Sequence, residues 1–144
     1  MSKIEIEIDG QLVSANQGDS IISIADREGI EVPRFCYHKK LSVAANCRMC
    51  LVDIEGVPKA QPACSTPAAS GMKIHTKNDK AKFAQKAVME FLLINHPLDC
   101  PICDQGGECE LQDVAMEYGS DVSKFNLGKR IVPDKGIGAL IQTD

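Results

Sequence analysis

The chain has 144 residues and a net charge of −4 with a pI near 5.4, a balance that argues against the basic stripe a nucleic-acid binder needs. Apolar residues make up 44% but aromatics only 4%, and Trp is absent. That composition suits one ordinary domain or two small ones, with a thin core to which bound metal would add folding free energy.

The first element in chain order is a strand over Lys3–Ile8, with Ile4, Ile6 and Ile8 on one face and Glu5 and Glu7 on the other. This pattern starts at once, which leaves no room for a secretory signal and predicts a cytosolic chain. Asp9-Gly10 is a two-residue hairpin signal, and Gln11–Ala15 returns as the partner strand. A loop ending in Ser20 then caps a short helix through Ile21, Ile24 and Ala25, closed by Gly29. Residues Arg34–Asn46 lack periodicity and predict an irregular loop. Strands follow at Cys50–Glu55, Lys59–Pro62 and Lys73–Thr76, which predicts an α+β, β-grasp arrangement of a mixed sheet gripping one helix.

Past Lys77 the pattern turns helical. Thr76-Lys77-Asn78-Asp79 reads as a capping box, and Ala84, Ala87, Val88, Phe91 and Leu92 form an apolar stripe along a helix over Asn78–Asn95. His96-Pro97 ends it, since a residue before proline is driven out of the helical region. A shorter helix is expected over Glu108–Tyr118, then an extended tail from Gly119. The predicted division is 1–77, 78–118 and a tail of 119–144. No apolar run is long enough to cross a bilayer.

Seven cysteines in a reducing compartment cannot all pair as disulfides, and metal ligation is the better use for them. The first group is Cys36-x10-Cys47-x2-Cys50-x13-Cys64. A pair two residues apart, flanked by single cysteines, has the order of the plant-type [2Fe–2S] loop with its first gap widened. A four-cysteine zinc site, the structural alternative, ordinarily uses two short knuckles, and only one is present.

The second group is His96-x3-Cys100-x2-Cys103-x5-Cys109, a compact run of the kind that wraps a single [4Fe–4S] cubane. Gly106-Gly107 lets backbone pass close to inorganic sulfide, and Pro97 and Pro101 stiffen the loop. His96 by itself reads equally well as a helix C-terminal histidine that favours the dipole. Ligand count favours a role in binding, because this group holds three cysteines and borrowing a fourth would leave the first group incomplete.

The remaining conspicuous residues have plainer roles. His38 and His75 are expected at the surface or core edge, Met49, Met72 and Met89 in packing, and Arg48, Lys39 and Lys40 as solvated charge. There is no phosphate loop, no Ser/His/Asp set and no nucleotide fingerprint, so the chain carries electrons without equipment for breaking substrate bonds.

The stretches Asn46-Cys47-Arg48-Met49-Cys50-Leu51-Val52 and His96-Pro97-Leu98-Asp99-Cys100-Pro101-Ile102-Cys103, continuing to Asp113, resemble the iron–sulfur G-subunit (NuoG) family of proton-pumping NADH:quinone oxidoreductase, respiratory complex I. The resemblance implies a β-grasp ferredoxin-like domain with one [2Fe–2S] cluster on Cys36, Cys47, Cys50 and Cys64. It implies a small helical domain after it, with one [4Fe–4S] cluster on His96, Cys100, Cys103 and Cys109. The implied function is relay of single electrons from a flavin site on a neighbouring subunit toward quinone. The implied setting is the peripheral arm, with partner subunits, on the cytoplasmic face of a bacterial inner membrane. Family members are several times longer, so a fragment is expected. The rival families with this cluster pair are iron-only hydrogenases and NAD-linked formate dehydrogenases or hydrogenases. A zinc-stapled structural or assembly module is the rival of another class.

Overall fold

The computed structural model describes residues 2–131 and 138–140. Among them, Lys3–Ile8 (β1) and Gln11–Asn16 (β2) form the expected hairpin, in register from Lys3 opposite Asn16 to Ile8 opposite Gln11. Asp9 and Gly10 take φ of 50° and 86°, the left-handed pair that matches a two-residue turn to the strand twist. The Asp9 carboxylate also accepts from the Thr76 backbone N–H at 2.7 Å and from the Thr76 hydroxyl.

Helix α1 spans Ile21–Arg27. Its Ile21, Ile22, Ile24 and Ala25 are buried in one core with Ile4, Ile6, Ile8, Val13 and Ala15. Each isoleucine so enclosed contributes about 1.5–3 kcal/mol relative to an exposed one. Leu51–Ile54 (β3), Gln61–Pro62 (β4) and Lys73–His75 (β5) complete a five-stranded sheet in the order β2-β1-β5-β3-β4. Strand β5 runs parallel to β1 and antiparallel to β3. This mixed sheet with one helix on its apolar face is the predicted arrangement. The strand expected over Lys59–Pro62 shrinks to Gln61–Pro62, the chain bending at Pro58 and Lys59 after a tight turn with Gly56 at φ 81° and Val57 N–H bonded to Ile54 O.

Helix α2 covers Asp79–Leu93. Its cap differs from the expected box: Asn78, not Thr76, is the N-cap, accepting from Ala81 N–H at 2.9 Å. Thr76 is instead pinned by Asp9. The buried face differs too, consisting of Ala81, Gln85 and Met89, while Phe83 and Phe91 stand 77% and 74% exposed. The reason is polar docking onto β3. Gln85 Nε2 donates to Leu51 O at 3.0 Å and Thr76 O at 3.3 Å. Lys80 Nζ pairs with Asp53 Oδ1 at 2.6 Å, and Asn78 Nδ2 donates to Asp53 Oδ2 at 2.8 Å. These bonds select the face that meets the sheet.

Helix α3 spans Glu110–Tyr118, with Cys109 at its N-cap position. Beyond it no helix or strand forms among the described residues. Lys129 Nζ donates to Leu93 O and Lys124 pairs with Glu90 at 3.3 Å, so this segment returns over α2. The expected tail continues through 132–137 and 141–144, which lie outside the described residues.

Candidate metal centres

The seven cysteines are all free thiols. Four of them meet at one end of the sheet. Cys36 sits in the irregular loop as expected, Cys50 leads directly into β3, and Cys64 follows β4, the strands being tied by Ala63 N–H to Cys50 O at 2.9 Å. Between Cys36 and Cys50 the loop folds tightly, with Ala45 and Arg48 held at φ 51° and 60°. Such left-handed conformations are costly for residues with a Cβ and mark a loop shaped by what it must present.

What the loop presents is backbone N–H aimed at sulfur. Cys47 N–H points to Cys36 Sγ and Met49 N–H to Cys47 Sγ, each at 3.5 Å. For the Cys36 thiol, burial acts to raise the pKa, but the Cys47 N–H, the Cys47 thiol and the Asn46 N–H outweigh it and the net shift is downward. Cys50 is 1% exposed and Cys64 2%. Burial, together with the adjoining charges of Cys64 and Cys47, pushes the Cys50 thiol up to about 12. An outer, partly exposed pair of thiols thus meets an inner, buried pair. This donor set fits a thiolate-bound [2Fe–2S] group.

The second group is built on turns after α2. Ile102 and Cys103 N–H both return to Asp99 O, at 2.9 and 2.7 Å, and Gly106 N–H returns to Cys103 O at 2.9 Å. His96, Cys100, Cys103 and Cys109 all line one pocket of about 520 Å³, with Leu93 and Leu111 as apolar wall. Gly106 is obligatory here, since a Cβ would stand 2.6 Å from Cys100 O and 3.1 Å from Cys103 O. Gly107 holds φ 89° while its N–H donates to Gln112 Oε1 at 3.2 Å, fastening the loop to α3. A cavity of this size bounded by three thiols and an imidazole fits a [4Fe–4S] group. Among the described residues no three His, Cys, Asp or Glu side chains crowd closely enough to hold a single metal ion.

His38 is exposed, and His75 Nε2 lies 3.0 Å from Glu55 Oε1, so neither joins the cysteines. Met49 and Met89 are fully buried, as packing residues should be. Three residues without a sequence signal matter to the sites. Arg130 lines the second pocket. Gln85 holds the carbonyl next to Cys50. Arg34, two residues before Cys36, forks onto Asp26 of α1 and lies 5.7 Å from the Tyr37 ring.

Both sites fall inside regions shared with known proteins. Residues 1–79 match the 2Fe-2S iron-sulfur cluster binding domain. Residues 85–124 match the NADH-ubiquinone oxidoreductase-G iron-sulfur binding region. The chain is 50% identical to the NADH-ubiquinone oxidoreductase 78 kDa subunit of Candida albicans, over 99% of its own length and 20% of the relative's. It is 53% identical to the NADH dehydrogenase [ubiquinone] iron-sulfur protein 1 of Solanum tuberosum, over 97% and 19%. With the 75 kDa subunit of Reclinomonas americana the identity is 52%, over 97% and 20%. The chain therefore spans about a fifth of the length of these relatives. In three dimensions it resembles a chain of an NAD+-reducing [NiFe]-hydrogenase, with TM-score 0.82 and 24% identity over 94% of this chain and 57% of that one.

Proposed function

This chain belongs to the family of 2Fe-2S iron-sulfur cluster binding domains, and from that premise we propose that it is an electron-relay segment of NADH:quinone oxidoreductase, complex I. It carries one [2Fe–2S] and one [4Fe–4S] cluster, the two groups to which its matched regions correspond. Cys36, Cys47, Cys50 and Cys64 hold the first, and His96, Cys100, Cys103 and Cys109 the second. Residues 1–77 and 78–118 form the two cluster units, with 119–144 as a tail. The clusters supply reversible one-electron chemistry when bound.

The residues do the rest. Cys50 and Cys64 exclude water from the inner side of the first group, and the Cys47 and Met49 N–H groups stabilise negative charge on sulfur. His96 contributes a neutral donor to the second. Electrons would originate at a flavin on a neighbouring subunit and pass toward quinone. Exposed Phe83, Phe91, Leu98 and Ile102 suit a chain that works against other subunits of the peripheral arm. None of the described helices is long and apolar enough to cross a membrane, so attachment is through those subunits, on the cytoplasmic face in a bacterium.

The observation that carries this reading is the convergence of all eight donors into two sites inside the two matched regions. The hydrogenase likeness is one of fold alone, while the oxidoreductase relatives are similar along the whole chain. The test is anaerobic purification with iron, sulfide and zinc analysis and EPR after dithionite. About six iron and six sulfide per chain and two distinct signals are expected. A colourless protein with stoichiometric zinc and no signal would overturn the proposal.

A further inference from the structure

We propose that Lys124–Arg130 is a cationic strap of the second site, fastened by Lys129 and holding Arg130 on the cavity wall, where its guanidinium raises the potential of the cluster. The inference rests on the assignment of His96, Cys100, Cys103 and Cys109 as the ligands. Between Lys86 and Lys124 there is no Lys or Arg, while Asp and Glu recur throughout. The ligand loop therefore cannot supply a cation to its own thiolates, and one has to come from elsewhere in the chain. The segment that returns over α2 brings three. Lys124 Nζ lies 3.3 Å from Glu90 Oε1. Lys129 Nζ donates to Leu93 O, which also accepts from the His96 backbone N–H at 3.3 Å. The strap is thus bonded to the same carbonyl that holds a proposed ligand. That carbonyl belongs to the last turn of α2, the helix end that favours positive charge. The next residue, Arg130, lines the cavity together with all four donors.

Apart from the donors, Arg130 and Asp99 are the charged side chains on that wall among the described residues. Asp99 belongs to the ligand loop and adds to its negative charge, which leaves Arg130 as the counterweight. A cavity of about 520 Å³ is about 10 Å across when round, close to the Debye length at physiological salt. The guanidinium therefore acts on whatever the cavity holds. An iron–sulfur group becomes more negative on reduction, so a cation beside it favours the reduced state and raises the potential. Loosening of the strap has the opposite signature to loss of the charge. Water admitted to the site also favours the more highly charged, reduced state, and would raise the potential where removal of the cation lowers it.

The experiment is an EPR-monitored redox titration of the cluster-loaded chain and of Arg130→Lys, Arg130→Gln and Arg130→Glu, with iron and sulfide measured on each. The potential of the [4Fe–4S] signal should fall in Arg130→Gln and fall further in Arg130→Glu, while Arg130→Lys stays near the unsubstituted value. The [2Fe–2S] signal serves as the internal reference and should shift less. Because Arg130 is exposed, the falls should shrink as salt is raised. An unchanged or raised [4Fe–4S] potential in Arg130→Gln at full cluster content would overturn the inference, as would an equal shift of both signals. Should one of the Gln and Glu variants fail to hold its cluster, the other decides. Failure of both overturns the inference, because the role of Arg130 is then structural. Absence of any [4Fe–4S] signal in the unsubstituted chain would fall on the ligand assignment first and take this inference with it.

Discussion

In the proposed ligand set an imidazole, His96, takes the place that a fourth thiolate holds in the first site. A fourth thiolate there would make the second cluster about one charge more negative. His96→Cys should therefore keep a cluster and lower its potential, and an unchanged potential and EPR spectrum would count against His96 as a ligand. Gly106 offers a steric test of the same loop. Its Cβ would collide with two backbone carbonyls, which cannot swing away as a side chain would. Gly106→Ala should remove about two-thirds of the iron while leaving the [2Fe–2S] signal in place. The candidate groups were legible in the sequence through cysteine spacing, which is compact over His96–Cys109 and anchored by Cys47-x2-Cys50 in the first group. Arg34 and Arg130 were not, since their relations to the sites exist only after the loops fold. Arg34 meets its partner eight positions upstream, on a different element.

Among the elements, α2 shows where pattern reasoning misleads. Counting apolar residues favours the face with Phe91, yet the helix turns Gln85 inward and leaves both phenylalanines in water. Hydrophobic periodicity does not foresee a glutamine that bridges two backbone carbonyls. Gln85→Ala should destabilise the chain by about 1–3 kcal/mol, read as a lower urea midpoint, because Leu51 O and Thr76 O lose their donor. Asp53 gives the same interface a pH dependence. Hydrogen bonds from Lys80 and then Asn78 hold its carboxyl below the usual range, against the opposing effect of burial. A depressed folded pKa stabilises above the unfolded value, near 4, and the benefit is lost as pH falls through the folded one. The stability gap between the unsubstituted chain and Asp53→Asn should be full at pH 7 and shrink below about pH 4, measured by denaturation at each pH. The strands were easier to foresee, since β1, β3 and β5 bury alternate residues on one face.

Across the whole molecule the two sites use different means of support. The first is embedded at the edge of a hydrophobic core and borrows its stiffness, whereas the second stands on turns fastened by Asp99 O and Gln112. Cys64→Ser should abolish the [2Fe–2S] EPR signal and leave the second signal intact, and loss of both would show that the sites assemble as one unit. One link between them is a strut. Cys50 leads into β3, Gln85 ties the next residue's carbonyl to the middle of α2, and α2 ends just short of His96. From Gln85 to its end at Leu93 the helix is about 12 Å of stiff rod. Tunnelling between two redox centres falls off steeply with the gap, so thermal jitter in that gap would scatter the hopping rate from moment to moment. With its middle clamped beside Cys50 and its C-terminal end running to His96, α2 would serve the proposed relay as a spacer gauge, damping that jitter so that successive electrons meet nearly the same gap.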